Sequence, residues 1–151
     1  MRIQLIAGLV VLVAIGQRPA AAQTAADSTA IRATALDYVE GWYTGDAARM
    51  ERALHPELAK RIIRPDDKGK STLDQMGAMR LVQGTRAGYG TKTPAEQQIK
   101  DVRILDIFQN AASVRAEMSG WIDYMHVGKW EGHWVIVNVL WERKPAPAAG
   151  R

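Results

Sequence analysis

The spacing of apolar residues changes near residue 99, and this change constrains the fold more than any other feature of the chain. Before that point apolar side chains recur at helical intervals. After it they recur at every second position, as in Ala112, Val114, Ala116 and Met118. A period of two is typical of a strand with one buried face. The sequence therefore predicts an α+β domain, with helices first and a meander of antiparallel strands after them.

Two helices are predicted in close succession. The first begins at the cap residues Asp27 and Ser28 and ends at Gly45, and Asp46 is expected to cap a second helix that runs to about Ala53. The apolar side of the first helix comprises Ile31, Ala35, Tyr38, Val39 and Trp42. The junction leaves no room for a linker, so the two helices are expected to form a hairpin or a bend.

A short strand at residues 59–64 and a third helix within residues 71–85, capped by Thr72, are predicted next. Four strands follow, at about residues 99–108, 112–119, 121–130 and 133–143. Helices that precede a long meander are expected to cover one concave face of the sheet.

The N-terminus has the pattern of a cleavable export signal. The stretch "MRIQLIAGLVVLVAIG" is apolar after one Arg, and Ala20, Ala21 and Ala22 fit a small-residue cleavage site. We expect a signal peptide at 1–22, cleaved after Ala22, which is typical of a bacterial periplasmic or secreted protein; an uncleaved anchor is the alternative. A disordered start at 23–27, a single domain at 28–144 and a disordered tail at 145–151 complete the predicted organisation.

The composition excludes several classes of function. Without Arg2 and Arg18 the mature chain holds 18 basic and 16 acidic residues, a net charge of +2, so no nucleic-acid partner is expected. There is no Cys, hence no disulfide, thiolate ligand or Cys nucleophile. The three His residues lack metal-ligand spacing, and no metal or required cofactor is expected. After signal cleavage no membrane association is predicted either.

The segments "YVEGWYTGD", "LHPELAKR" and "DYMHVGKWEGHWVIVNVLW" resemble the putative lumazine-binding family of the nuclear transport factor 2-like superfamily, which also includes SnoaL-like and ketosteroid isomerase-like proteins. The resemblance spans about residues 30–144. It implies a cone-shaped fold, in which a curved antiparallel sheet wraps around the N-terminal helices, and it implies frequent dimers. It also implies a pterin- or flavin-like ligand in the cone. Superfamily members include isomerases, dehydratases and hydrolases, so the fold alone does not define the chemistry.

The stretch "WIDYMHVGKWEGHW" at 121–134 is the most aromatic part of the chain. If Glu131 and Gly132 form a two-residue turn, paired residue numbers sum to 263, and one face carries a single set of residues. That set is Trp121, Asp123, Met125, Val127, Trp134, Ile136, Asn138 and Leu140. The other face is also apolar, and we expect it to be buried against a second copy of the chain. This other face carries Ile122, Tyr124, His126, Val135, Val137, Val139 and Trp141.

The face with Asp123 and Asn138 is predicted to line the pocket, with Trp121, Trp134 and Met125 beside them and Tyr38 or Trp42 closing it. These residues are the ligand-binding candidates: Asp123, Asn138, Trp121, Trp134, Met125, Tyr38 and Trp42. A bulge at Gly132 would instead bring Tyr124 and His126 round to Asn138, so both remain second candidates.

Three functions stay open on the sequence alone. The first is an exported protein that binds a planar heterocycle. The second is a cofactor-independent isomerase, dehydratase or hydrolase, with Asp123 as general acid or base and Tyr38 or Tyr124 as its partner. The third is a structural or interaction domain whose cone is filled by its own side chains. The presence of one good acidic candidate favours binding.

Overall fold

The computed structural model describes residues 20–145, with side chains from residue 25 onward. Most of the predicted signal peptide and of the C-terminal tail lies outside the described residues. The helices are α1 (Ala20–Thr44), α2 (Ala47–Ala53) and α3 (Ala78–Arg86), with a short 3₁₀ turn at Ala95–Gln97. The strands are β1 (Leu54–Pro65), β2 (Ser71–Met76), β3 (Asp101–Phe108), β4 (Ala111–Glu117), β5 (Trp121–Trp130) and β6 (His133–Arg143).

The six strands form one sheet in the order β2-β1-β6-β5-β4-β3. Neighbouring strands are antiparallel except for β1 and β6, which pair in parallel, so the expectation of a purely antiparallel sheet is corrected. The sheet is curved and unclosed, and α1 packs against its inner face. This arrangement confirms the predicted α+β cone. No helix among residues 20–145 combines the length and apolar character needed to cross a membrane.

Helix α1 is longer than predicted. Ile31, Ala35 and Val39 are fully buried, as their spacing indicates. However, helical residues precede the predicted cap at residues 27 and 28, so the segment 23–27, predicted to be disordered, is helical. Tertiary contacts stabilise this part of the helix, because Asp27 accepts hydrogen bonds from Lys129 Nζ at 2.9 Å and from the Trp134 indole.

The junction between α1 and α2 agrees with the sequence. Gly45 has a φ of +73°, a conformation that glycine adopts without steric cost, and it ends α1. Asp46 then caps α2 by accepting a 3.0 Å hydrogen bond from the backbone N–H of Arg49. The predicted tight junction between two helices is therefore confirmed.

The third predicted helix is wrong over its first half, because residues 71–76 form β2. Asp66 accepts hydrogen bonds from two backbone N–H groups of the preceding turn, and this turn brings the chain back along β1. Leu73 then pairs with Ile63, and Thr72 donates to a carbonyl of β1 instead of capping a helix. Gly77 separates the strand from α3.

The hairpin of β5 and β6 starts in the predicted register and then changes it. The pairs run from Trp130–His133 to Val127–Ile136, each summing to 263, around a two-residue turn. Beyond this point Val137 is an extra residue, and the next pair is His126 with residue 138. A β-bulge in mid-strand moves every later β6 residue by one position and exchanges its face.

The bulge corrects the predicted faces of β6. Asn138 and Leu140 lie on the outer face, whereas Val139 and Trp141 turn inward. Asp123 pairs with Trp141 rather than with Leu140. The assignments for β5 are unaffected, because its alternation is unbroken.

Candidate functional site

A cavity of about 470 Å³ lies inside the cone, between α1, α3 and the inner face of the sheet. This volume is within the range of small-molecule sites in proteins. The lining residues are Tyr38, Trp42, Lys60, Met76, Leu81, Tyr89, Gly120, Trp121, Trp141 and Arg143. Helices and strands both contribute lining residues, so most of the cavity wall consists of regular secondary structure.

Three tryptophans form a continuous wall. The ring centroids of Trp42 and Trp121 are 5.9 Å apart at an interplanar angle of 81°, and those of Trp121 and Trp141 are 6.3 Å apart at 74°. Edge-to-face contacts of this kind are favourable and fix the ring orientations. The wall is therefore rigid and offers large aromatic surfaces to a ligand.

Lys60 is the charged residue at the base of the cavity. It follows Leu58 and precedes Ile62 on the inward face of β1, and only 5% of its surface is exposed. Its Nζ atom donates to Asp123 Oδ1 at 2.5 Å and to the Tyr38 hydroxyl at 2.7 Å. The same ammonium lies 4.9 Å from the centroid of the Trp141 ring, within the range of a cation–π contact.

Asp123 lies behind Lys60 and is completely buried. Its Oδ2 atom accepts hydrogen bonds from the Tyr38 hydroxyl at 2.9 Å and from the Trp121 indole at 3.2 Å. Lys60, Tyr38 and Asp123 thus form a closed ring of hydrogen bonds. Because both carboxylate oxygens are occupied by donors, Asp123 orients the two side chains between it and the cavity rather than facing the cavity itself.

Burial shifts the pKa values of two of these side chains, Tyr38 and Lys60. Removal from water raises the pKa of Tyr38 well above its usual value, and the neighbouring Asp123 charge raises it further. The phenol therefore stays neutral and keeps its proton. Burial also lowers the pKa of Lys60, and the attraction of Asp123 opposes that effect only in part.

Two further residues with N–H donors, Trp141 and Arg143, line the cavity. The indole N–H of Trp141 is buried and is the one such side-chain atom without a hydrogen-bond partner among the residues described. The side chain of Arg143 contributes to the lining near the end of β6. Buried polar atoms are normally paired; the Trp141 indole N–H is an exception, and because it is closed off from water it does not face the open cavity.

The predicted site residues divide into three groups. Tyr38, Trp42 and Trp121 line the cavity, and Asp123 supports it from behind. Met125 and Trp134 face inward as predicted but belong to the core rather than to the cavity wall. The Trp134 indole instead donates to the carboxylate of residue 27, near the start of α1.

Asn138, Tyr124 and His126 are all on the outer face of the sheet, so the placement of Asn138 in the pocket was wrong. Asn138 Oδ1 accepts a 2.9 Å hydrogen bond from Arg61, and its amide lies 3.3 Å from His126 Nδ1. Tyr124 is 49% exposed. The alternative register correctly placed His126 opposite Asn138, although the bulge is at Val137 and not in the turn.

The sequence did not predict Lys60 and Trp141, which both line the cavity and contact each other. A signal for Lys60 was present, because it occupies an apolar position in the alternation Leu58-Ala59-Lys60-Arg61-Ile62. Trp141 was assigned to the outer face, since no sequence rule locates a mid-strand bulge. Tyr89, Leu81, Met76 and Arg143 come from separate elements that only the tertiary fold brings together.

The architecture is the nuclear transport factor 2-like fold. A solved structure of a nuclear transport factor 2-like protein of unknown function from Shewanella baltica OS155 matches with a TM-score of 0.64 and 22% identity, covering 81% of this chain and 97% of the other. One from Novosphingobium aromaticivorans matches with a TM-score of 0.62 and 11% identity, over 86% and 90% of the two chains. A ketosteroid isomerase-like protein from Erwinia carotovora atroseptica matches with a TM-score of 0.51 and 11% identity, over 78% and 96%.

Residues 26–142 match the family described as "Putative lumazine-binding", and the chain belongs to this family. The resemblance found in the sequence is therefore confirmed. No protein of curated function matches the sequence. The structural neighbours are less than 25% identical and support the fold alone.

Proposed function

We propose that this protein binds a planar, acceptor-rich heterocycle in the cavity. The observation that carries the proposal is the Lys60 ammonium at the base of a wall of three tryptophans. An aromatic wall favours a flat ligand that stacks, and a fixed charge at its base favours one orientation of that ligand.

The polar groups of the cavity define the chemistry of the ligand. Lys60 has three N–H donors, and two of them are occupied by Asp123 and Tyr38. The third N–H of Lys60 and the Arg143 guanidinium remain as donors on residues that line the cavity. A ligand with carbonyl oxygens or unprotonated ring nitrogens along one edge satisfies them. Lumazine, a pteridine with two ring carbonyls, has this character and agrees with the family description.

The two other functions have less support. Catalysis with Asp123 as general base requires contact between its carboxylate and a substrate, yet the residue is 0% exposed and accepts three hydrogen bonds. A domain without a ligand would be expected to fill its cone with side chains. The open volume of about 470 Å³ argues against that.

We also propose that the protein is exported after cleavage behind Ala22 and that it forms a homodimer through the outer sheet face. Five exposed apolar residues support the dimer, and we call them the outer patch: Ile63, Leu73, Tyr124, Val137 and Leu140. An apolar patch on a sheet that water would otherwise contact is typical of an interface. An isologous contact would bury the patch of both copies at once.

Tryptophan fluorescence tests the binding proposal. We expect lumazine to quench the emission saturably, and we expect Trp42→Phe to reduce the quenched fraction because this ring lines the cavity. Trp130→Phe is the matched control, since Trp130 is 54% exposed and lies outside the cavity wall. Absence of quenching by lumazine and riboflavin, together with an unchanged melting temperature, would contradict the proposal.

A further inference from the structure

We infer that Lys60 forms a Schiff base with planar aromatic aldehydes or ketones that enter the cavity. This inference rests on the proposed binding function, because the carbonyl compound must first occupy the same site. Lysines that react with carbonyl compounds are enclosed by apolar walls, where the neutral amine is accessible, and they lie beside a group that transfers protons. The surroundings of Lys60 meet both conditions.

The first condition is an amine that a ligand can reach. Lys60 belongs to the cavity lining, and the cation–π contact of its Nζ with Trp141 places the amine beside a ring that also lines the cavity. Burial lowers the pKa of Lys60, so a larger share of it is the nucleophilic amine than in an exposed lysine at the same pH. By contrast, Lys68 and Lys92 are exposed.

The second condition is a proton carrier. Asp123 Oδ1 is 2.5 Å from Lys60 Nζ, and Asp123 Oδ2 is held by Tyr38. The Tyr38 hydroxyl also accepts a hydrogen bond from the amine. The amine, the carboxylate and the phenol therefore stay in contact while protons move between them.

The reaction needs no oxidant or reductant. The ammonium of Lys60 passes a proton to Asp123, and the amine lone pair forms a C–N bond with the carbonyl carbon while the C=O π electrons move to oxygen. Tyr38, which lines the cavity, gives its hydroxyl proton to that oxygen and takes the proton of Asp123 in the same step, so the oxygen becomes a hydroxyl group. The nitrogen then returns a proton to Asp123, which passes it through Tyr38 to the hydroxyl, and the hydroxyl leaves as water. The products are the protonated imine, the Asp123 carboxylate and one water molecule.

Reductive trapping tests the inference on the intact protein. Naphthaldehyde is added with cyanoborohydride, which reduces an imine to a stable secondary amine, and the modified residue is located by peptide mass spectrometry. We expect one adduct, on Lys60, at pH values below the usual lysine pKa. Adducts spread over the exposed lysines with Lys60 unmodified would overturn the inference.

Variants provide the controls. Lys60→Arg retains a positive charge but offers no amine for imine formation, so we expect loss of the adduct. Lys68→Met is the matched control and is expected to retain it. Because wild-type mapping identifies the site directly, the result does not depend on the folding of a variant.

Binding of naphthylmethanol, measured by tryptophan quenching, separates this inference from the proposed function. This ligand has the same rings but no carbonyl group. Saturable binding of naphthylmethanol without trapping of naphthaldehyde would overturn the Schiff-base inference and leave the binding function intact. Failure of naphthylmethanol and lumazine to bind would overturn both.

Discussion

The Tyr38 hydroxyl donates a 2.9 Å hydrogen bond to Oδ2 of Asp123, across 85 positions of sequence. This contact joins the middle of α1 to β5 at the base of the cavity. The same hydroxyl accepts from Lys60 on β1. Three elements are thus held together by one buried polar ring, and the cavity geometry depends on it.

Tyr38→Phe removes the hydroxyl and leaves Asp123 and Lys60 each without one partner. We expect a loss of about 1–3 kcal/mol in the free energy of unfolding, because both groups remain buried. Urea denaturation measures the change. Tyr89→Phe is the control, since Tyr89 is 63% exposed, and an equal loss in both variants would contradict the account.

Lys60→Met leaves the Asp123 carboxylate buried without its charged partner. We expect about 3–5 kcal/mol of destabilisation, the range for breaking a buried ion pair from one side. The double variant Lys60→Met/Asp123→Asn removes both charges and is expected to be more stable than Lys60→Met alone. Additive losses in a double-mutant cycle would show that the two residues are not coupled.

Glu117 predicts a dependence of stability on acid. Hydrogen bonds from Lys144 and Arg115 lower the pKa of Glu117 from 4.5 to about 2 in the folded chain. The unfolded chain therefore takes up a proton first, and the stabilisation present above pH 4.5 is lost as the pH falls towards 2. We expect the free energy of unfolding, measured by denaturation across this pH window, to depend less on pH in Glu117→Gln than in the wild type. An unchanged pH dependence in that variant would contradict the prediction.

Gly90→Ala is expected to disturb the position of Trp42, a residue of the cavity wall. A Cβ atom at Gly90 would lie 2.1 Å from the backbone oxygen of Trp42 and 2.5 Å from its ring, so the loop must move. We predict a lower melting temperature and a changed Trp42 emission. Gly120→Ala, where a Cβ atom has no neighbour within 4 Å, is the control for stability. A Gly90→Ala protein identical to wild type would contradict this packing.

Leu140→Asp tests the proposed dimer. An isologous contact would bury the introduced carboxylate charge of each of the two copies, which is costly. We therefore expect the variant to sediment as a monomer. Phe108→Asp is the matched control, because Phe108 is 71% exposed on β3 and lies outside the patch. A wild-type protein that is monomeric at micromolar concentration would contradict the dimer.

Export predicts a defined mature N-terminus. Cleavage behind Ala22 gives a chain that begins at Gln23, and mass spectrometry of the protein from the periplasm or medium measures this directly. A chain that retains Met1 would support the anchor instead.

Sequence patterns predict correctly those parts of the fold that depend on interactions between residues close in sequence. The buried positions of α1 follow from helical spacing, and the caps at Gly45 and Asp46 follow from backbone geometry. The pattern of residues 71–76 predicts a helix where strand β2 lies, because the pairing of β2 with β1 is a tertiary contact that a short amphipathic pattern does not reveal.

The candidate site was less predictable because one bulged residue decides it. Val137 exchanges the faces of all later β6 positions, which removes Asn138 from the interior and brings Trp141 in. The sequence did hold a signal for Lys60, because a charged residue at an inward-facing strand position is unusual. The pairing of Lys60 with Asp123 could not be predicted, because the two residues are 63 positions apart in the sequence.

Calorimetric titration with lumazine tests the central claim most directly. The account predicts one-site binding to the wild-type protein and at least about tenfold weaker binding to Lys60→Met, since a hydrogen bond to a charged group contributes roughly 1.5–3 kcal/mol. Lys68→Met should bind as the wild type does. Absence of binding, or equal affinity in Lys60→Met and the wild type, would contradict it.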